Sequence, residues 1–348
     1  MQNQINSGFN QSTNSGSANF ESFSISFTEP RIFDSRNSIG FSLYKAEQGA
    51  RSGYSDYDIE NIGGSISFGR RFKWPDYYTG GSWSIGARSS KYYGTEEQLI
   101  GCSDTNSPYY PCDFSSDIIH SSGNEFYAKR DGIKLTQTIS RVNIDNAEFA
   151  TNGSKLIWSS TFSGGFLGGD EDYYKNELSL KWYNKIIEKL VIHQNFKFGI
   201  LNTFEVSSGR SVVPPSARFL MGGTGIPYGE MLRGYSDNMI GPLGASFPKG
   251  GNIMLKYSLE LRYLISENPN LYILTFMDAG NVWDKIDIVD PFSLRRSIGV
   301  GARIMMPMIG MIGYDIAYGF DSSVQEYLSG NNNAHGWEYH FIFGLPIY

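Results

Sequence analysis

Residues 251–266 constrain the fold of this chain more than any other segment. Ile253, Leu255, Tyr257, Leu259, Leu261, Tyr263 and Ile265 alternate with Met254, Lys256, Ser258, Glu260, Arg262 and Leu264. Successive strand side chains point to opposite faces, so one face is continuously apolar and the other carries the charges. In a soluble sandwich the apolar face turns inward. In a membrane barrel it turns outward to lipid, and the lumen takes the polar face. Alternation alone does not distinguish the two.

Length and aromatic content favour the barrel. The alternation recurs at Leu178–Trp182, at Phe196–Ile200 and over residues 294–306, in strands of ten to sixteen residues. Soluble strands are mostly about five or six residues long, whereas a tilted strand needs roughly nine to eleven to cross a bilayer. Aromatic residues make up 15% of the chain, which suits girdles at two membrane interfaces, and 40 glycines suit strands that bend and coil. Mean hydropathy is -0.31, and no apolar run reaches the length of a membrane helix. A barrel whose strands are half polar is expected to have such a value. The net charge of -6 argues against a nucleic-acid partner.

The expected fold is therefore an all-β, transmembrane antiparallel β-barrel, with residues 19–348 as one barrel domain. About thirteen strands are expected near 19–29, 38–47, 58–71, 80–94, 125–141, 154–168, 173–187, 189–206, 251–266, 270–284, 292–307, 309–320 and 336–348. Long loops are expected over 95–124, 207–250 and 321–335. Residues 1–18 are rich in Asn, Gln, Ser and Gly and read as a disordered or loop segment. They lack the basic and apolar regions of a signal peptide, so the chain reads as a mature or truncated piece of a longer protein.

The 207–250 loop is too long for an accidental connection in a compact domain. It carries Leu232-Arg233-Gly234-Tyr235, preceded by Phe219-Leu220-Met221-Gly222-Gly223 and followed by Asn238-Met239-Ile240-Gly241-Pro242. Next come Ser258-Leu259-Glu260-Leu261-Arg262-Tyr263, then Phe276-Met277-Asp278-Ala279-Gly280-Asn281-Val282-Trp283, then Arg296-Ser297-Ile298-Gly299-Val300-Gly301. In this order and spacing the motifs resemble the BamA family of outer-membrane insertases, in its Bacteroidota-like form. That family shares a superfamily with TamA and the two-partner-secretion transporters.

The resemblance implies a Gram-negative outer-membrane location and no catalytic step or cofactor. It implies a loop folded back into the lumen, with Arg233, Gly234 and Tyr235 latched against Glu260 and Asp278. The alternative for Arg233 is that it merely lines a wet lumen or faces solvent. A lateral seam at the last strand is implied too, where a nascent outer-membrane protein pairs by strand augmentation. Its residues here are Trp337, Tyr339, Phe341, Phe343 and Gly344. The implied partners are nascent outer-membrane proteins, outer-membrane lipids and accessory assembly lipoproteins. The family's POTRA domains and first three of about sixteen strands have no counterpart in the chain. A two-partner-secretion or TamA-like transporter is the alternative function, with a barrel enzyme or a porin behind it.

Smaller signals complete the reading. Cys102 and Cys112, with nine residues between them, suggest a disulfide closing a surface loop of an exported chain; two free thiols or half a metal site are the alternatives. His120, His193, His335 and His340 are scattered over strands and loops and read as pore-lining or interface residues rather than metal-binding. The run Asp170-Glu171-Asp172 reads as a solvated loop.

Overall fold

A computed structural model of the chain describes residues 4–14, 18–49, 58–94, 119–122, 125–203, 213–225, 229–242, 250–306, 310–323, 326–327, 330 and 333–344. The strands are β1 (Gln4–Asn14), β2 (Ala18–Glu29), β3 (Asn37–Gln48), β4 (Asp58–Arg71), β5 (Thr79–Gly94), β6 (Ile119–Ser122), β7 (Glu125–Ile144) and β8 (Gly153–Ser163). They continue with β9 (Tyr173–Ile187), β10 (Leu190–Thr203), β11 (Ile253–Glu267), β12 (Asn270–Trp283), β13 (Arg295–Met306), β14 (Gly310–Gly319) and β15 (Gly336–Gly344). All belong to one antiparallel sheet in which each strand pairs with the next in sequence, except that short β6 lies against β7 off the main path. Among the described residues, no pairing joins β1 to β15.

Exposure settles which face is which. On β11, Tyr257, Leu261, Tyr263 and Ile265 stand in the open, while Lys256 and Glu260 are only 4% and 8% exposed. The inversion runs round the sheet. Phe41 and Leu43 on β3, Ile66 on β4, Trp158 and Phe162 on β8, Val300 on β13 and Phe341 on β15 all face outward. Lys155, His193, Asn195, Asp278, Arg303, Asp315 and His340 are buried inside. A soluble protein exposing so continuous an apolar belt would aggregate, whereas lipid satisfies it. None of the described helices is long and apolar enough to cross a membrane; the crossing is made by strands.

Each of the thirteen expected strands has a counterpart, and β1 and β6 are additional. In place of the expected loop over residues 1–18, β1 pairs with β2 from Gln4↔Thr28 to Asn14↔Ala18. Main-chain N–H and C=O groups alone make such a ladder, so a segment with no apolar stripe escapes a reading based on side-chain pattern. The strand expected at 154–168 ends at Ser163, because Gly164, Gly165, Gly168 and Gly169 adopt positive φ and turn the chain.

The lumen is packed on one side. The described loop residues 213–225, 229–242 and 250–251 lie inside the sheet, and Phe219, Met221, Leu232, Tyr235 and Ile240 form a core with Tyr173, Leu201, Met254 and Val282 of the wall. Short bridges Met221↔Ile240, Gly223↔Leu232 and Phe219↔Gly251 hold the loop in shape. A second core of Phe149, Val191, Leu264, Tyr272, Leu274, Phe276 and Ala317 fills the lumen nearby.

Candidate functional site

The loop presents Arg233 to the inner wall at β11, β12 and β14. Gly234, at φ 84°, allows the turn. A Cβ there would lie 2.7 Å from the Ser297 Cβ and 3.2 Å from the Gly319 nitrogen, so both the conformation and the space require glycine. Arg233 is 2% exposed. Its Nε and Nη2 donate to the two carboxylate oxygens of Asp278 at 2.7 and 2.8 Å, a bidentate fork. Its Nη2 also lies 2.8 Å from Glu260, and its guanidinium carbon sits 3.5 Å over the Phe276 ring.

Each acid around this arginine is also tied to the rest of the wall or balanced within the cluster. Glu260 pairs with Arg262 at 2.6 Å, and Asp315 pairs with Arg303 at 2.6 Å while lying 3.8 Å from Arg233. Three guanidinium groups thus face three carboxylates in a water-poor volume. Burial works against the Arg233 charge, but Asp278, Glu260 and Asp315 more than offset it, so the group stays protonated beyond the ordinary arginine range. Arg303 and Asp315 are not among the residues singled out from the sequence. The signal for them is alternation: Arg303 lies on the polar face of its strand, and Asp315 stands alone between Tyr314 and Ile316.

The same loop reaches the last strand. The Gly234 N–H donates to His340 Nε2 at 2.9 Å, and Ser236 Oγ donates to Glu338 at 2.8 Å. The Tyr235 hydroxyl donates to the Arg296 carbonyl at 2.7 Å, and its ring packs on His335. Burial pushes the Tyr235 hydroxyl above its ordinary pKa. Further along, Glu230 receives Lys197 at 2.6 Å and Lys256 at 2.8 Å. Burial opposes ionisation of Glu230, yet the two ammonium groups outweigh it and hold the carboxyl at about 2.

The other residues named from the sequence fall as follows. Trp337, Tyr339, Phe341 and Phe343 project outward from β15, which pairs with β14 on one side. Gly344 ends the strand at φ 152°. Cys102 and Cys112 lie outside the described residues. Among the described residues, no cluster of His, Cys, Asp and Glu could hold a metal ion. One expectation is corrected: Glu171 is fully buried, 2.5 Å from Arg88 of β5 and 3.6 Å from Lys134 of β7. The Gly164–Gly169 turn swings it back into the lumen, so it is not part of a solvated loop.

An antiparallel sheet with apolar side chains outside, charges inside and a loop returned into its lumen defines a transmembrane β-barrel. The Omp85 superfamily domain matches residues 6–345, and the chain belongs to that superfamily. It is 27% identical over 304 residues to the outer membrane protein assembly factor BamA of Nitratidesulfovibrio vulgaris, covering 86% of this chain and 33% of the relative. The chain thus spans about a third of that protein's length. The BamA structure from Haemophilus ducreyi lacking POTRA domains 1-3 superposes with a TM-score of 0.72 at 21% identity, over 97% of this chain and 63% of the other, and shares its fold. CdiB from Acinetobacter baumannii gives a TM-score of 0.43 at 13% identity, over 97% and 59% of the two chains.

Proposed function

We propose that this barrel serves a BamA-like insertase, folding outer-membrane proteins into the bilayer through a lateral seam at β15. The observation that carries the proposal is the loop's double attachment. Arg233 holds β11 and β12 through ion pairs, while Gly234 and Ser236 hold β15 through single hydrogen bonds. A luminal loop fixed to one wall would keep the barrel in shape while the last strand exchanges partners. An edge offering unpaired N–H and C=O groups is a template for an incoming strand. The outward aromatics Trp337, Tyr339, Phe341 and Phe343 would sit among lipids, disturbing them beside that edge. The clients are nascent outer-membrane proteins, with accessory assembly lipoproteins as further partners.

The test is assembly in vitro. Proteoliposomes carrying this chain should fold a urea-denatured outer-membrane β-barrel protein faster than empty liposomes of the same lipid. A crosslinker placed at Phe341 should trap that client. Equal folding rates with and without the chain would reject the proposal.

A further inference from the structure

Lysines cluster on the luminal wall beside the loop. Lys155 of β8 and Lys181 of β9 are direct cross-strand partners, as are Lys197 of β10 and Lys256 of β11. The outward exposure of Leu156, Trp158, Trp182 and Phe198 fixes all four lysines on the inner face of four consecutive strands. Like charges placed directly opposite destabilise a sheet, and an anion between them relieves the repulsion.

Half of the patch has its anion. Glu230 of the loop sits between Lys197 and Lys256. The other half has none: among the described residues, neither Lys155 nor Lys181 has a hydrogen-bonded or ion-paired partner, and Lys155 is 8% exposed. The next position in the same row of the sheet is Asn195, opposite Lys181, whose buried Oδ1 lacks a partner. Two residues on is His193, 6% exposed, diagonal to Lys181. His193 Nδ1 lies 2.9 Å from Arg262 Nη2 and 3.2 Å from Glu260 Oε2; the shorter contact is to a guanidinium, which only donates, and with Nδ1 accepting it the ring proton lies on Nε2. Nε2 is buried and has no hydrogen-bond partner.

We propose that Lys155, Lys181 and His193 form a luminal site for a small oxyanion, a phosphate or a carboxylate. Two ammonium groups and an imidazole N–H supply donors and positive charge, and the Glu230 carboxylate on the adjoining lysines shows the chemistry this wall accepts. The neighbouring charges are Lys197 and Lys256, which share Glu230, and Arg262, which shares Glu260 with Arg233.

Inorganic phosphate and acetate, titrated separately by calorimetry into the refolded barrel at fixed ionic strength, test the site. At least one should bind saturably to the unmodified chain. Lys155→Gln/Lys181→Gln should weaken that binding tenfold or more and, with the repulsion gone, resist heat at least as well as the parent in anion-free buffer. Lys155→Met/Lys181→Met, which keeps the aliphatic stems, should behave the same. Lys91→Gln on β5, remote from the patch, should bind like the parent. No saturable binding of either anion, or equal affinity in both double variants, would overturn the proposal.

Discussion

Arg233→Ala tests the loop anchor most directly. The substitution removes a guanidinium that is 2% exposed and leaves three carboxylates behind. They are not equally stranded. Glu260 keeps Arg262 at 2.6 Å, and Asp315 keeps Arg303 at 2.6 Å. Asp278 loses both bonds of its fork and is itself 2% exposed. Breaking one such buried pair costs about 3–5 kcal/mol, most of it from the orphaned charge. At roughly 2 °C per kcal/mol for a chain of this size, the heat-modifiable gel shift should fall by on the order of 5–10 °C. Limited proteolysis should open sites in 229–242 that the parent protects. Asp278→Ala should cost a similar amount, because Arg233 then loses its fork and keeps Glu260 at 2.8 Å and the more distant Asp315 at 3.8 Å. The double variant should cost less than the sum of the singles, with a coupling of about 1–3 kcal/mol. A single variant with parental heat stability and an uncut loop would show that Arg233 lines the lumen without anchoring anything.

Other consequences are equally specific. Gly234→Ala should destabilise the barrel and loosen the loop, since its Cβ meets Ser297 at 2.7 Å, whereas Gly330→Ala, at φ 85° with nothing within 4 Å, should cost only backbone strain of about 1 kcal/mol; thermal shifts compare the two. Glu171→Ala should cost about 3 kcal/mol by leaving Arg88 without its carboxylate, measured by the same gel assay. His335 should give the loop region a pH dependence. Burial disfavours its charge, but hydrogen bonds to Glu326 and Glu338 raise its pKa above 6.5. Its stabilising contribution is thus complete below pH 6.5 and lost as pH rises through the raised value. Exchange protection near Tyr235 should be higher at pH 6 than at pH 9, and His335→Gln should remove the difference.

The strands were legible because each is long enough to repeat its alternation several times, and the luminal acids Glu260 and Asp278 followed from the polar face of β11 and a motif. What escaped the sequence was whatever depends on neighbours distant in the chain. Alternation is symmetric between inside and outside, so only the exposure of Tyr257 against the burial of Lys256 decides the face. Glu171 looks solvated beside Asp170 and Asp172, and its partner Arg88 lies 83 residues away. The segment 4–14 is mostly Asn, Gln, Ser, Thr and Gly, so its main-chain ladder to β2 leaves no trace in the sequence pattern. The Arg303–Asp315 pair needs the β13–β14 register, which opposes Arg303 to Gly313 and Gly301 to Asp315, before the two are seen to meet.

The loop's two attachments differ in strength, and that difference orders events. On the β11–β12 side, a buried fork and a second carboxylate are worth several kcal/mol when broken. On β15, the anchors are the Gly234–His340 bond between neutral groups, contributing about 0.5–1.5 kcal/mol, and the Ser236–Glu338 bond to a carboxylate, contributing about 1.5–3 kcal/mol. A disturbance at the last strand should therefore release β15 while the loop remains on β12. His340→Phe/Glu338→Gln should raise amide exchange along Trp337–Phe343 at least tenfold and leave the protection of residues 229–242 near that of the parent. Arg233→Ala should do the reverse, exposing the loop first. If both variants loosened loop and strand together, the two attachments would be one cooperative unit, and β15 could not open without unseating the loop.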